Sequence, residues 1–343
     1  VAMTDPFSRS MFPAVEQSGT LPDLASGLSH AIRPMLPHDG YALFGLDPIT
    51  GTVAFAATRH TYGTQAGYEL SLNHVAGLDP NPFAALINGP RPIGIFGTDA
   101  PCNEFSARQH EIMAAEGVGS DLSVALTLDG RAWGGMAFVR ERRRAPFSLA
   151  DALCAERLRI PLAAAVKRFV TGQRLAPAHP ELAPAVLIVG SDNSIEAMTS
   201  TGRTWITGFA PDHARLRENQ LTGHLLSVVA AARRAGSEAL SRIPTPHGWI
   251  TLQAQALDGG EPGRLALTIQ SAATDLLLPA VIAWYGITSR ERAVLDHIMH
   301  GEPVKQIARR LNLSQHTVND HLKAIYRKTG VTGKEELVAS LSN

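Results

Sequence analysis

The stretch that most constrains this chain lies near its end, from Ile287 to Val338. Its apolar residues and helix stops fall at intervals that fit four short helices in tight succession. Thr288 is placed to cap the first, with Glu291 three residues on in a capping-box arrangement. Val294, Leu295, Ile298 and Met299 recur at helical spacing until Gly301 stops the run. Pro303 suits the start of a second helix, where its missing N–H is no loss. That helix carries Ile307, Ala308 and Leu311. Asn312 and Leu313 form a sharp turn, and Ser314 caps a third helix predicted to run to about Thr329. Ile307, Leu311, Leu313 and Val318 are apolar where the second and third helices must pack. Ala308 is small where their backbones approach, and Asn312 tolerates a left-handed backbone. Two helices joined by so short a turn read as a helix-turn-helix.

The outward face of the third helix is polar: Gln315, His316, Asn319, Asp320 and Lys323. Gln315, Asn319 and Lys323 succeed one another at four-residue steps and share one stripe. Such a face can be presented to base edges in a major groove. Thr317 lies off the stripe, nearer the backbone. The segment resembles the LuxR-type (GerE-like) DNA-binding domain. The resemblance rests on Thr288, Arg290, Glu291, Val294, Leu295, Gly301, Lys305, Ile307, Ala308, Leu311, Ser314, Thr317, Val318, His321, Leu322, Ile325, Lys328, Gly330 and Val331. It implies an all-α four-helix domain whose third helix enters the groove. Its fourth helix, here about Lys334 to Leu341, would support dimerisation. Together with the polar face, it makes Lys305, Ser314, Gln315, His316, Thr317, Asn319, Asp320, Lys323 and Arg327 the candidate DNA-binding residues. His321 reads better as a core residue than as a base contact. Pro303 departs from the usual small polar cap. Asp320 puts a negative charge on the face, to accept from a cytosine amino group or to repel phosphate.

Charge supports this division. The 343 residues carry no net charge. From Tyr285 onward nine basic residues face six acidic ones, a balance of +3, which leaves 22 against 25, or −3, for the rest. A modestly basic end on a slightly acidic body suits a DNA-binding tail on a front that does not bind DNA. The 45% hydrophobic content is that of a folded protein, and the length fits two or three domains.

Residues 1–19 read as a loose tail. From 20 to 172 the order is a helix from Leu21 to Met35, then strands from Tyr41 to Leu46 and Thr52 to Ala57 around the Asp47–Gly51 loop. A Gly/Pro-rich middle about 73–103 follows, then a helix from Phe105 to Glu116. Next comes a hairpin, Asp121 to Leu128 and Arg131 to Val139, turning at Asp129-Gly130. The Arg140–Arg144 run reads as a solvated strand end. Ser148 caps a closing helix to about Val170, expected to break near Pro161. This order resembles a GAF domain. The resemblance implies a sheet with a pocket on one face and a terminal helix that pairs between subunits. Residues 173–184 read as a Pro-containing linker.

Residues 185–272 resemble a PAS-like domain in order. A strand pair turns at Asp192-Asn193, helices follow at Thr201–Ile206 and Asn219–Arg234, and three strands close the unit. A connecting helix about 273–286 then leads to the domain at 287–343. The fold class expected is therefore an α+β sensor region, GAF-like then PAS-like, followed by an all-α helix-turn-helix domain.

No catalytic constellation is read. A phosphate-cradling G-x-x-x-x-G-K-[ST] loop, H-E-x-x-H and G-x-S-x-G are missing, so the chain is expected to be non-enzymatic. An enzyme with a DNA-binding appendage stays the outside reading. Cys102 and Cys154 fit no metal or redox spacing. No cofactor and no metal are expected. His60, His74, His110, His213 and His247 are candidate haem or metal ligands only one at a time, and surface or core roles suit them better. Trp205, Trp249 and Phe209 are candidate pocket residues, with core packing the stronger reading. No signal-peptide pattern is read, and the apolar run from Leu276 to Ile287 holds Pro279 and is too short for a bilayer. The expectation is a cytoplasmic regulator of transcription that binds double-stranded DNA as a homodimer and not a membrane. RNA polymerase is a further partner. Its signal is a small-molecule effector or, alternatively, a partner protein sensed by the front domains, in a pocket of roughly 300–1,000 Å³ within one of them if a small molecule.

Overall fold

The computed structural model describes residues 18–97, 106–172, 175, 183–209, 219–245, 248–258 and 261–341. Helix α1 (Leu21–Ile32) opens with a Thr20–Asp23 capping box. Strands β1 (Gly40–Leu46) and β2 (Val53–Arg59) follow, then α2 (Thr64–Val75), α3 (Phe83–Asn88) and β3 (Ile93–Gly97). Helix α4 (Ala107–Ala115) precedes the long hairpin β4 (Val118–Leu128) and β5 (Arg131–Glu141), and α5 (Leu149–Gly172) closes the unit. The five strands form one antiparallel sheet in the order β2-β1-β5-β4-β3. Asp129 and Gly130 both take positive φ at the hairpin turn, 53° and 72°, as a type I′ turn requires.

The second unit holds β6 (Ala185–Val189), β7 (Ile195–Met198), α6 (Ser200–Phe209), α7 (Gly223–Ala235), β8 (Glu238–Thr245), β9 (Gly248–Ala256) and β10 (Leu265–Ser271). Its sheet runs β7-β6-β10-β9-β8. Counted within each unit, both sheets therefore have the order 2-1-5-4-3. The chain ends in α8 (Thr274–Trp284), α9 (Ser289–Met299), α10 (Val304–Arg310), α11 (Gln315–Thr329) and α12 (Lys334–Leu341).

Three readings change. The closing helix α5 runs unbroken through Pro161. Its i−4 neighbour Arg157 is exposed, so the lost hydrogen bond falls on the solvent side, where it is tolerated. Arg140 is not solvated but buried. It donates to Pro37 O at 2.8 Å and pairs with Asp151 at 2.9 Å, tying β5 to the start of α5. The ambiguous middle contains α3 and β3, and α2 precedes it. The expected start of α4 at Phe105 lies outside the described residues.

The edge strands of the two sheets, β2 and β8, lie against each other. Thr52 Oγ1 donates to Leu240 O at 3.3 Å, and Val53 N donates to Ser227 Oγ at 3.0 Å. The Asp47 carboxylate seals this junction. It accepts from the Ile49 amide at 2.8 Å to shape its own loop, and from the amide of Arg242 at 3.0 Å. The Arg242 guanidinium lies 2.8 Å away.

The C-terminal helices are docked on the same body. One apolar core runs from α1 and the first sheet through Trp284 to Val294, Leu322 and Leu337. Trp284 is fully buried, with its ring 4.7 Å from that of Trp133 on β5 and 6.4 Å from Phe55 on β2. Leu175, inside the stretch read as a linker, is buried. Its amide donates to Thr329 O at 3.1 Å, and its carbonyl accepts from Ser340 Oγ at 3.1 Å.

Candidate nucleic-acid interface and adjoining cavity

Each helix of the C-terminal unit starts and stops where its side chains dictate. Thr288 and Glu291 cap α9 reciprocally, with the Thr288 amide 2.7 Å from the Glu291 carboxylate. Glu291 also takes Lys328 Nζ at 2.6 Å, joining α9 to α11. Burial pushes this carboxyl up, but Lys328 and Thr288 outweigh it and hold Glu291 below the usual range. Pro303 sits just before the first residue of α10. Asn312 takes φ +54° in the turn. Ser314 accepts from the Thr317 amide at 3.0 Å and fixes where α11 begins. Ile307, Ala308, Val318, Leu322 and Ile325 are buried between the helices.

The opposite face of α11 is open. Gln315, His316, Asn319, Asp320, Lys323 and Arg327 are exposed, as is Lys305 on α10, while Thr317 is half-buried beside its cap. Asp320 lies between two cationic or protonatable neighbours, His316 at 3.5 Å and Lys323 at 3.8 Å. Its charge on this face is therefore partly offset. His321 is half-buried. The docking against the front units covers α8 and the end of α12 and leaves this polar face free.

A second feature lies between the two front units. A cavity of about 1060 Å³ is lined by β1, β2, α2 and α3 on one side and by α7, β8 and β9 on the other. The expected pocket within a single domain is thus a cavity at a junction. Its volume lies just above the usual range of roughly 300–1,000 Å³ for small-molecule sites. Trp249 lines it. Trp205 does not; it packs in the core of the second unit, and its indole N–H donates to Ala183 O at 3.1 Å. The side chain of Phe209 lies outside the described residues.

The cavity wall also carries polar groups that sequence reasoning missed. Asp121 on β4 lies deep in the fold, and its remaining surface faces the cavity. Gln109 Nε2 is 3.5 Å from it. Burial, and to a lesser degree the nearby charge of Asp79, pushes the Asp121 carboxyl up to about 7. The Tyr62 hydroxyl is buried without a hydrogen-bond partner. Burial and the carboxylates of Asp121, Glu116 and Asp79 push this phenol well above its ordinary value. On the α7 side, burial lowers His224 to about 4, so its imidazole is neutral at pH 7. An Asp in the middle of a strand otherwise buried from Val118 to Ala125 was the available signal. Such a group is costly without a partner or a function.

Of the candidate histidines, His60 is exposed. His74 bonds Asp79 at 2.9 Å, and the His110 ring lies tilted against Phe96 at 4.7 Å between ring centres. His213 and His247 lie outside the described residues. Among the described residues no group of three His, Cys, Asp or Glu side chains is placed to hold a metal ion. None of the described helices is long and apolar enough to cross a membrane.

Comparison with known proteins agrees with the C-terminal architecture. Residues 286–341 match the family described as bacterial regulatory proteins, luxR family (GerE). The C-terminal unit is a LuxR-family helix-turn-helix domain. A stretch of 62 residues is 39% identical to the monoamine regulon transcriptional regulator of Klebsiella aerogenes. That match spans 18% of this chain and 25% of the relative. Among solved structures, Escherichia coli SdiA is similar at 15% identity over 97% of this chain and 94% of its own, with a TM-score of 0.36. A phycoerythrobilin-bound GAF domain from a cyanobacterial phytochrome is similar at 14% identity over 47% of this chain and 92% of its own, with a TM-score of 0.33. Neither structural likeness is strong enough to bear on function.

Proposed function

We propose that the chain is a dimeric, sequence-specific DNA-binding regulator of transcription whose activity is set by a small molecule held between its front units. The observation that carries the reading is the open polar face of α11 on a LuxR-family domain. Asn319 and Lys323 read bases, Gln315 and His316 sit in the first turn against the groove, and Lys305, Ser314, Thr317 and Arg327 serve phosphates. His316 and Lys323 hold Asp320 so that it faces a base amino group rather than a phosphate.

The front units are a GAF-like domain followed by a PAS-like domain, a reading supported by their shared 2-1-5-4-3 strand order. The cavity favours a small molecule over a protein as the signal. Phe55 and Tyr285 line it, and Trp284 packs 6.4 Å from Phe55 in the core that continues into the C-terminal unit. A ligand that moves this wall moves α8. It switches the protein only if it binds the DNA-competent and incompetent arrangements unequally.

Dimerisation is assigned to α5. Leu149, Leu153 and Ile160 are 71%, 53% and 41% exposed and fall on one stripe of that helix, an apolar face that a second copy would cover. The test is selection of duplexes from a random library by the full-length chain. Enrichment of a two-half-site sequence supports the reading, and a library left unenriched at low salt refutes it.

A further inference from the structure

The cavity between the front units has one acidic end and an aromatic body. At the acidic end Asp121 shows its carboxylate, with only the Gln109 amide, among the described residues, at the limit of hydrogen-bond distance. Tyr62 also lines the cavity, with its hydroxyl buried and without a hydrogen-bond partner among the described residues. Asp79 lines the same end, its carboxylate 20% exposed and engaged by His74 and the Asn81 amide. Guanidinium groups line the cavity only from exposed positions, Arg59 and Arg234, and neither bonds Asp121. His224 faces the space as a neutral imidazole. Away from this end the walls are Phe44, Phe55, Phe83 and Leu226, with Phe44 and Phe83 edge to face at 4.5 Å. Aromatic rings gather here in a chain whose aromatic content is only 6%.

We infer that this cavity binds an organic amine, its ammonium group against Asp121 and its apolar body along the Phe44, Phe55 and Phe83 wall. The inference rests on the effector reading above and names the ligand class for that site. A carboxylate this deep is unfavourable when unpaired, and a cation that donates to it offsets the desolvation. An anionic ligand would meet Asp121 and Asp79 head on. A neutral alcohol would satisfy the hydrogen bonds but leave the acidic end without a counter-charge.

Three probes with one body separate these cases: 4-phenylbutylamine, 4-phenylbutanol and 4-phenylbutyric acid, titrated calorimetrically into the full-length chain at pH 8. The amine is expected to bind about tenfold or more tightly than the alcohol, the margin of one well-formed charged hydrogen bond. Asp121→Asn should remove that margin and leave the alcohol unchanged. Alcohol or acid binding as tightly as the amine overturns the amine assignment while keeping a small-molecule cavity. Binding by none of the three overturns the amine and counts against the effector reading as well. An amine preference that survives Asp121→Asn overturns the assignment of the site.

Discussion

The carboxylate of Asp47 and the guanidinium of Arg242 meet at 2.8 Å inside the junction of the two sheets, with Asp47 fully buried and Arg242 nearly so. The two residues are 195 positions apart. Every oxygen of Asp47 is used, one for its own loop and one for Arg242. The pair makes the junction specific, because each charge is tolerable only when the other is present. The cavity lies at the same junction, lined by Leu46 and Pro244 close to this pair in sequence.

Asp47→Ala should therefore cost about 3–5 kcal/mol, the range for leaving one member of a buried pair uncompensated. Urea unfolding measures the cost. Hydrogen exchange should show the loss first in β2 and β8, which face each other beside the pair. A change within about ±0.5 kcal/mol would mean that the junction is not held this way.

Asp121 gives a pH signature. Its carboxyl is raised in the folded chain to about 7, from an ordinary value of 3.8. Between these values the folded state holds a proton that the unfolded state has released, so this contribution falls as pH rises. His224, lowered from 6.5 to about 4, contributes the opposite slope below pH 6.5, so the raw curve mixes the two. The difference between the chain and Asp121→Asn isolates Asp121, with Asp79, Glu116 and Tyr62 unchanged beside it. Above pH 7 the variant should be the more stable of the two. Its advantage should shrink on acidification and vanish near pH 4. A flat difference curve would contradict the burial of this carboxyl.

The C-terminal unit was the most legible part of the sequence. Thr288, Ser314, Gly301 and Gly330 punctuate helices whose cores are local, so short-range spacing carries the information. The Asp129-Gly130 turn and the Asp47–Gly51 loop were legible for the same reason. Helix α2 was not, because its periodicity is weak: most of its side chains are half-buried, facing the cavity or α7. The Asp47–Arg242 pair and the place of Asp121 were invisible too. Alternation assigns Asp121 to a face of β4, but what covers that face comes from α4 and the Asp79 segment. Long-range docking of this kind leaves no local pattern.

The boundary of the C-terminal domain can be tested by truncation. Leu277, Val281 and Trp284 of α8 are buried against the front units. A fragment beginning at Thr274 exposes them and should self-associate. One beginning at Gly286 keeps the carbonyl that Lys328 grips at 2.8 Å and should stay monomeric and folded. Its DNA affinity should fall with salt, by about one logarithmic unit per tenfold salt for each phosphate contact. Light scattering and anisotropy titrations check both.

Leu153→Glu should abolish the dimer without unfolding the protomer, since this side chain is 53% exposed in a single copy. Sedimentation at micromolar concentration reads the mass directly. An unchanged dimer would place the interface elsewhere.

The most direct measurement compares the preferred sequences of the full-length chain, Asn319→Ala and Lys305→Ala in a duplex selection. Both side chains are exposed and neither supports the core, so folding is not at issue. Asn319→Ala should cost about 1–3 kcal/mol at the preferred site and relax one base position per half-site, whereas Lys305→Ala should weaken all duplexes alike and flatten the salt slope by about one unit. A preference left intact by Asn319→Ala but altered by Lys305→Ala would contradict the placement of α11 in the groove.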